Sequence, residues 1–415
     1  MTLLPSHPLT ADQVWRDRAS AVIPNGMYGH QSAQRMPEGF PQFVARGDGA
    51  RIWDVDGNEY VDFMCSYGPI VLGHHHPKVE EAVRRQQALA DCQNGPSPAM
   101  VELCELFVDR VEHADWAILA KNGTDATTMC VTIARAATNR RKVMVATGAY
   151  HGAAPWCTPN PSGVLSEDRA HLVHYTFNDA ETVRAAVEKC GDDLAAIVVS
   201  PFKHDARFEQ ELVDPEWARM LRRICDETGA ALILDDVRCG FRLAYGGSWE
   251  PIGVKPDLSA WSKAIANGYA LASVMGNDKF RDGAGSVFVT GSFWFSAVSM
   301  VAAIATITAL GEEDGLGSME RAGQRLRDGL SAQAASHGLT IRQTGPVTMP
   351  LLTFAADADF ERSHLFAGSA AQRGVYLHPW HNWFVCAAHT DDDVDTALQA
   401  TDAAFADVRA TFGAD

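Results

Sequence analysis

The chain has 415 residues, 47% of them hydrophobic and 21% charged, with a net charge of −17. This composition fits a globular protein with a large core and excludes disordered and fibrous classes, and at roughly 100–200 residues per domain the length predicts more than one unit. The acidic excess, without any block of Lys or Arg, argues against binding nucleic acid or another polyanion.

A helix is predicted over 11–22, stopped by Pro24, Asn25 and Gly26. Residues 50–63 read as a hairpin around the Asp56-Gly57 turn. Amphipathic helices follow over 77–90 and 98–112. Then short apolar runs alternate with helices: "WAILA" at 116–120, "KVMVA" at 142–146, and further runs at 195–200, 230–236 and 271–276. Such runs predict an α/β fold with a mostly parallel sheet covered by helices on both faces. An Ala-rich helix is expected after Ser296, another over 319–337, and then a mixed tail. The predicted large domain spans 63–295. Residues 1–62 and 296–415 make a smaller α+β domain from both chain ends.

Nine scattered Cys, none in a C-x-x-C pair, predict free thiols and neither disulfides nor a zinc site. No leader pattern opens the chain and no apolar run reaches about 18 residues, so the expectation is a cytoplasmic protein with no membrane contact.

Four segments carry candidate chemistry. Asn122-Gly123-Thr124 opens a helix directly after a strand, where unpaired amides and the helix dipole favour a phosphate; the same residues would also serve as an ordinary cap. Tyr150-His151 follows another strand and offers an aromatic face to a flat ring, or simply packs. Asp235-Asp236 ends a buried strand, where open α/β sheets bind ligands. A protonated ring nitrogen would satisfy a carboxylate there, as would a metal or a loop. Lys263 follows a short apolar strand; burial and nearby cations would lower its pKa and make it a Schiff-base nucleophile, whereas an ordinary Lys there sits at the surface.

Together these describe a ligand with a phosphate, a flat ring, a basic ring nitrogen and an aldehyde, as in pyridoxal 5′-phosphate. The blocks "IWDVDGNEYVDF", "GHHHPKV", "NGTDAT", "YHG", "LDDVRCGFRLAYGG", "KPDLSAWSKAIANGYALA" and "AAHTDDDVD" run in the order of the class III aminotransferase family. The chain resembles that family over nearly its whole length, and most of all its glutamate-1-semialdehyde aminomutase branch. The resemblance implies the type I pyridoxal-phosphate transferase fold. It implies that Lys263 bonds the cofactor, Asp235 holds the ring nitrogen, and Val237 and Tyr150 pack on the ring with His151 alongside. Asn122, Gly123 and Thr124 would hold the phosphate. Ser292 stands where the family has a Thr reaching the partner subunit's phosphate, which implies a homodimer with shared sites.

Departures from the branch redirect the expected activity. Gly29 and Ser32 stand where the aminomutase carries its carboxylate clamp, and the segment after Tyr150-His151-Gly152 is short. Ser200-Pro201 replaces Glu-Pro. Tyr67, Trp156, Phe202 and Trp380, with His381 as a polar contact, are candidates for an apolar pocket. The expected activity is transamination between an amine, or an amino acid whose amino group is not α to its carboxylate, with a bulky apolar part, and a small keto acid such as pyruvate. An aminomutase or racemase on the same fold is the alternative. A non-catalytic relative is disfavoured by the intact Lys263 and Asp235, and a nucleotide module by the absence of a Walker or G-x-G-x-x-G loop. The His74–His76 run matches a family turn and is not expected to bind metal.

Overall fold

Contact density separates two units in the computed structural model, which describes residues 10–29, 32–37, 39–355 and 357–415. The chain up to His76 joins Gly317–Asp415, and Pro77–Leu316 forms the larger unit. Both boundaries fall later than the sequence predicts. Residues 63–76 stay with the smaller unit through backbone bonds from Phe384 to Phe63 and from Ala387 to Val71, at 2.7 Å each. The Ala-rich helix stays with the larger unit, its N-terminus held by the Asp91 carboxylate through Val298 N–H at 3.1 Å.

In chain order, α1 (Thr10–Val22) is capped from outside: Asp56, in the hairpin turn, accepts from the amides of Ala11 and Asp12 at 2.7 and 3.0 Å. Strands β2 (Arg51–Asp54) and β3 (Glu59–Asp62) form the predicted hairpin, and β1 (Val44–Asp48), for which the sequence predicts no strand, pairs antiparallel with β2. The larger unit follows, with α2 (Pro77–Gln87), α3 (Pro98–Arg110), β4 (Trp116–Ala120), α4 (Gly123–Thr138), β5 (Lys142–Ala146), β6 (Leu172–Tyr175), α5 (Ala180–Cys190) and β7 (Leu194–Val199). A small hairpin, β8 (Phe202–Lys203) and β9 (Glu211–Leu212), precedes α6 (Pro215–Thr228), β10 (Ala231–Asp235), β11 (Leu258–Trp261), β12 (Ala272–Gly276), α7 (Arg281–Ser286) and α8 (Ala297–Glu312). The chain closes with α9 (Gly315–Ser336), β13 (Ile341–Thr344), β14 (Leu351–Phe354), α10 (Glu361–Ala371), β15 (Val375–Tyr376), which pairs parallel with β3, and α11 (Asp391–Phe412).

The seven-stranded sheet has the order β4-β12-β11-β10-β7-β5-β6, and only β12 runs antiparallel to its neighbours. Its side chains alternate between two cores. Val143, Val145, Val198 and Ile233 pack with Met129, Ile133 and Ala134 of α4; Met144, Ile197, Leu232 and Leu234 pack with Trp217 and Leu221 of α6. Among the described residues no helix is long and apolar enough to cross a membrane.

Candidate active site

The alternation in β10 decides what each of its terminal carboxylates does. Ala231, Ile233 and Asp235 share the α4 face, so Asp236 turns the other way. Asp236 accepts from the amide and the hydroxyl of Ser248, and burial pushes its carboxyl up to about 7. Asp235 meets His151 instead: Nδ1 lies 2.6 Å from Oδ2, and Oδ1 accepts from Val237 N–H at 3.2 Å. His151 is itself fixed. Its carbonyl accepts from Thr127 Oγ1 at 2.7 Å and its ring stacks on Trp156, 6.2 Å between centroids and 12° between planes. Trp156 in turn donates from Nε1 to Thr128 Oγ1 at 3.0 Å.

The turn from β4 into α4 lies against the same strand end. Asn122 caps α4 through a capping box with Asp125, which uses both the Asn122 amide and its side chain. The amides of Gly123 and Thr124 meet no acceptor among the described residues. A Cβ on Gly123 would come 2.6 Å from Val237 Cγ1, and one on Gly152, at φ +127°, would come 2.5 Å from Thr124 Oγ1. Only glycine permits this approach of cup to strand end. The cup that remains is Gly123 and Thr124, positioned by Asn122.

Lys263 enters at a strained turn. It has φ 51° and starts a short 3-10 segment, Lys263–Ala266, directly after Ser262, whose hydroxyl donates to the Leu271 carbonyl at 2.8 Å. Its surface is partly open, but its ammonium is desolvated and faces the Arg238 guanidinium, which together press its pKa down to about 7 despite the attraction of Asp235. A lowered pKa favours the uncharged, nucleophilic form of the amine.

The larger unit thus brings together Lys263, Asp235, Val237, Gly123, Thr124, His151 and Trp156. Tyr150 precedes His151 and is 37% exposed, leaving a ring face open. Phe202 is enclosed at 1% exposure, with His204 meeting it edge-on at 5.3 Å. Ser292 is exposed, in a loop that also presents Phe288 and Phe293 at 92% and 70% exposure. Tyr67, Trp380 and His381 belong to the smaller unit. There Tyr67 meets His381 and His378 edge-on at 5.3 and 6.1 Å, and Trp380 meets His378 at 4.4 Å. Sequence reasoning missed Arg238, although a cation three positions past the strand-end Asp was a visible signal. It also missed His151 as the partner of Asp235.

The cradle fits pyridoxal 5′-phosphate. Two unmatched amides at a helix N-terminus suit its phosphate, the Asp235 carboxylate suits a protonated ring nitrogen, and Lys263 suits its aldehyde. A family model described as "Aminotransferase class-III" matches residues 32–404. The aminopentol aminotransferase of Sphingopyxis macrogoltabida is 49% identical over 96% of this chain and 94% of its own length. The glutamate-1-semialdehyde 2,1-aminomutase of Desulfitobacterium hafniense is 30% identical over 92% of this chain and 95% of its own. Among solved structures, the PLP internal aldimine form of the FumI protein of Sphingopyxis sp. MTA144 superposes with a TM-score of 0.96 at 49% identity, covering 97% of each chain.

Proposed function

Since the chain belongs to the class III aminotransferases, of the type I pyridoxal-phosphate fold, we propose that it moves an amino group from an amine with a bulky apolar part to a small keto acid such as pyruvate. The observation that carries the amine side of this reading is the absence of a cation at the carboxylate-clamp positions, Gly29 and Ser32. A relative that shares 49% of the sequence is named for an aminopentol, which agrees with a substrate whose amine does not depend on a carboxylate.

Bound pyridoxal 5′-phosphate supplies an aldehyde for the amine and a ring that draws electrons from the carbon bearing it. The protein does the rest. Gly123 and Thr124 amides hold the phosphate at the α4 N-terminus, and Tyr150 and Val237 confine the ring. Asp235, oriented by His151, faces the ring nitrogen. Lys263 would bond the cofactor aldehyde and, as a free amine with its pKa pressed down to about 7, would carry a proton from and back to the substrate. Trp156 presents an aromatic surface in this unit; Tyr67, Trp380 and His381 present another in the smaller one, and Phe202 backs the site from within the core. Ser292, exposed with Phe288 and Phe293, suits a homodimer in which one subunit donates to its partner's phosphate. The test is an amine panel offered to the yellow enzyme with and without pyruvate. Turnover that needs both substrates supports the reading, and turnover with one alone refutes it.

A further inference from the structure

All nine cysteines are free thiols, as their spacing predicts, but two of them meet in the smaller unit. Phe384 N–H donates to the Phe63 carbonyl at 2.7 Å, which lays the segment before α11 beside the segment after β3. Cys65 and Cys386 each stand two residues beyond that bond. Cys65 Sγ reaches across it, 3.4 Å from the Phe384 carbonyl and 3.3 Å from that of Asp62. The Cys65 sulfur, the Cys386 sulfur and His389 Nδ1 all lie within 4.8 Å of one another. Extended segments side by side are roughly 5 Å apart, a separation that a disulfide spans.

The same cluster holds a base. His389 Nδ1 has a partner in either protonation state: neutral, it accepts from the Cys386 amide at 3.0 Å; protonated, it donates to the Cys386 sulfur and carbonyl, each at 3.2 Å. It therefore takes the thiol proton without losing a partner at that nitrogen. Phe63 covers the imidazole face, stacked at 4.4 Å between centroids and 22° between planes. The Cys65 thiol and then the His389 ring hold the Cys386 thiol well below its usual range; burial lowers His389, and Cys386 more than reverses this. A thiolate with a second thiol in reach is the arrangement of a nucleophilic and a resolving cysteine. Both cysteines are 1% exposed, so the oxidant that suits them is small and uncharged.

We propose that Cys386 and Cys65, with His389 as their base, are an oxidation site that hydrogen peroxide closes into a disulfide. The Cys386 thiolate attacks one peroxide oxygen: an S–O bond forms, the O–O bond breaks, and the leaving hydroxide takes the proton held by His389 and departs as water. The Cys65 sulfur, its proton passed to His389, then attacks the Cys386 sulfur. The S–S bond forms, the S–O bond breaks, and the second hydroxide leaves as water with that proton. The two thiols lose two electrons and the peroxide is reduced to two waters. The product staples together the two chain segments that build the smaller unit, at the left-handed run from Cys65 to Tyr67. The site stands apart from the aminotransferase chemistry, and its readout is that of thiols alone.

The test treats the wild-type holoenzyme with hydrogen peroxide in moderate excess, removes the oxidant with catalase, blocks the remaining thiols in denaturant and maps the peptides without reduction. The expected result is a cross-link joining the Cys65 and Cys386 peptides, lost on treatment with dithiothreitol. In Cys65→Ser, Cys386 should be trapped by dimedone as a sulfenic acid and carry no cross-link. His389→Gln should form the cross-link at least about tenfold more slowly, while the exposed Cys92 oxidises at the wild-type rate. Wild-type protein in which Cys65 and Cys386 are both recovered as free thiols after Cys92 is fully oxidised overturns the proposal. So does Cys386 converted to sulfinic acid with Cys65 still reduced. Cross-linking of His389→Gln at the wild-type rate overturns the role of the histidine as base. The deciding map is made on wild type, so it stands whether or not a variant folds.

Discussion

His151 Nδ1 stands 2.6 Å from Asp235 Oδ2, and both side chains are buried. The imidazole holds the carboxylate proposed to meet the ring nitrogen, Trp156 stacks on that imidazole, and Thr127 holds the His151 backbone carbonyl. Asp235→Asn is expected to bind cofactor yet turn over at least about 100-fold more slowly, because a neutral amide cannot keep the ring nitrogen protonated. His151→Ala keeps the carboxylate but frees it, so its loss should be smaller, roughly 10- to 100-fold. Single-turnover bleaching by an amine separates these effects from acceptor binding. Equal rates for wild type and Asp235→Asn would remove Asp235 from the mechanism.

Gly123 sits where a Cβ would lie 2.6 Å from Val237 Cγ1. Gly123→Ala should therefore force the cup off the strand end, at a cost of about 1–3 kcal/mol, and raise the Kd for cofactor by about tenfold or more. The clash names its own remedy. Val237→Ala removes the methyl groups in the way, so the double variant should bind cofactor more tightly than Gly123→Ala alone. Calorimetric titration of the cofactor-free proteins measures this coupling.

Lys263 titrates near 7 in the folded protein against an ordinary 10.5. Between these values the unfolded chain holds the proton and the folded chain does not. Stability of the cofactor-free protein at this site therefore rises with pH through that window, and the penalty is complete below about 7. Lys263→Met, which removes the penalty, should raise Tm by roughly 4 °C or more near pH 6.5, with a much smaller gain near pH 10. It should also abolish turnover. A Tm gain independent of pH would mean that packing, not charge, sets the effect.

Much of this site was legible because its residues sit at the ends of strongly apolar runs. "WAILA" and "KVMVA" have the bounds of β4 and β5, and Asp235 and Lys263 stand where a ligand at the sheet's carboxyl edge would find them. β6 escaped notice because it is an edge strand with His174 exposed, so its run is not continuously apolar. Ser200 and Asp235 are neighbours only because β7 and β10 pair, a fact of topology and not of spacing along the chain. The left-handed run Cys65-Ser66-Tyr67, at φ 45°, 56° and 63°, contains no glycine to announce it. Asn122 was expected on the phosphate, but its hydrogen-bonding groups serve the capping box.

The exposed aromatics Phe288 and Phe293 predict that the 288–293 loop is covered in solution. Phe288→Ser with Phe293→Ser should shift the protein toward monomer in sedimentation analysis and weaken cofactor retention. Ser292→Asp should lower activity by placing a charge near the partner's phosphate. Mixed with Lys263→Ala, it should recover part of the activity when subunits exchange, because one site of the mixed dimer carries neither change. A wild-type protein that is monomeric at assay concentration would end the shared-site reading.

Acceptor dependence separates an aminotransferase from an aminomutase. An aminomutase returns the amino group to the molecule that gave it and needs no second keto acid. An aminotransferase stops once every cofactor carries the amino group. The clamp positions here are Gly29 and Ser32, and the segment after Gly152 is short, so a substrate with a carboxylate gains no grip there and a reactive intermediate is not enclosed by a long insertion. An apolar amine should therefore bleach the visible absorbance of the lysine-bound cofactor in one stoichiometric step and then stall. Added pyruvate should restore the colour and sustain turnover, with parallel-line kinetics as amine and pyruvate are varied. Glutamate-1-semialdehyde should be a poor substrate, by roughly 100-fold in kcat/KM, for want of a bidentate Arg at the clamp. Sustained isomerisation of that compound without added keto acid would overturn the aminotransferase reading and leave the aminomutase in its place.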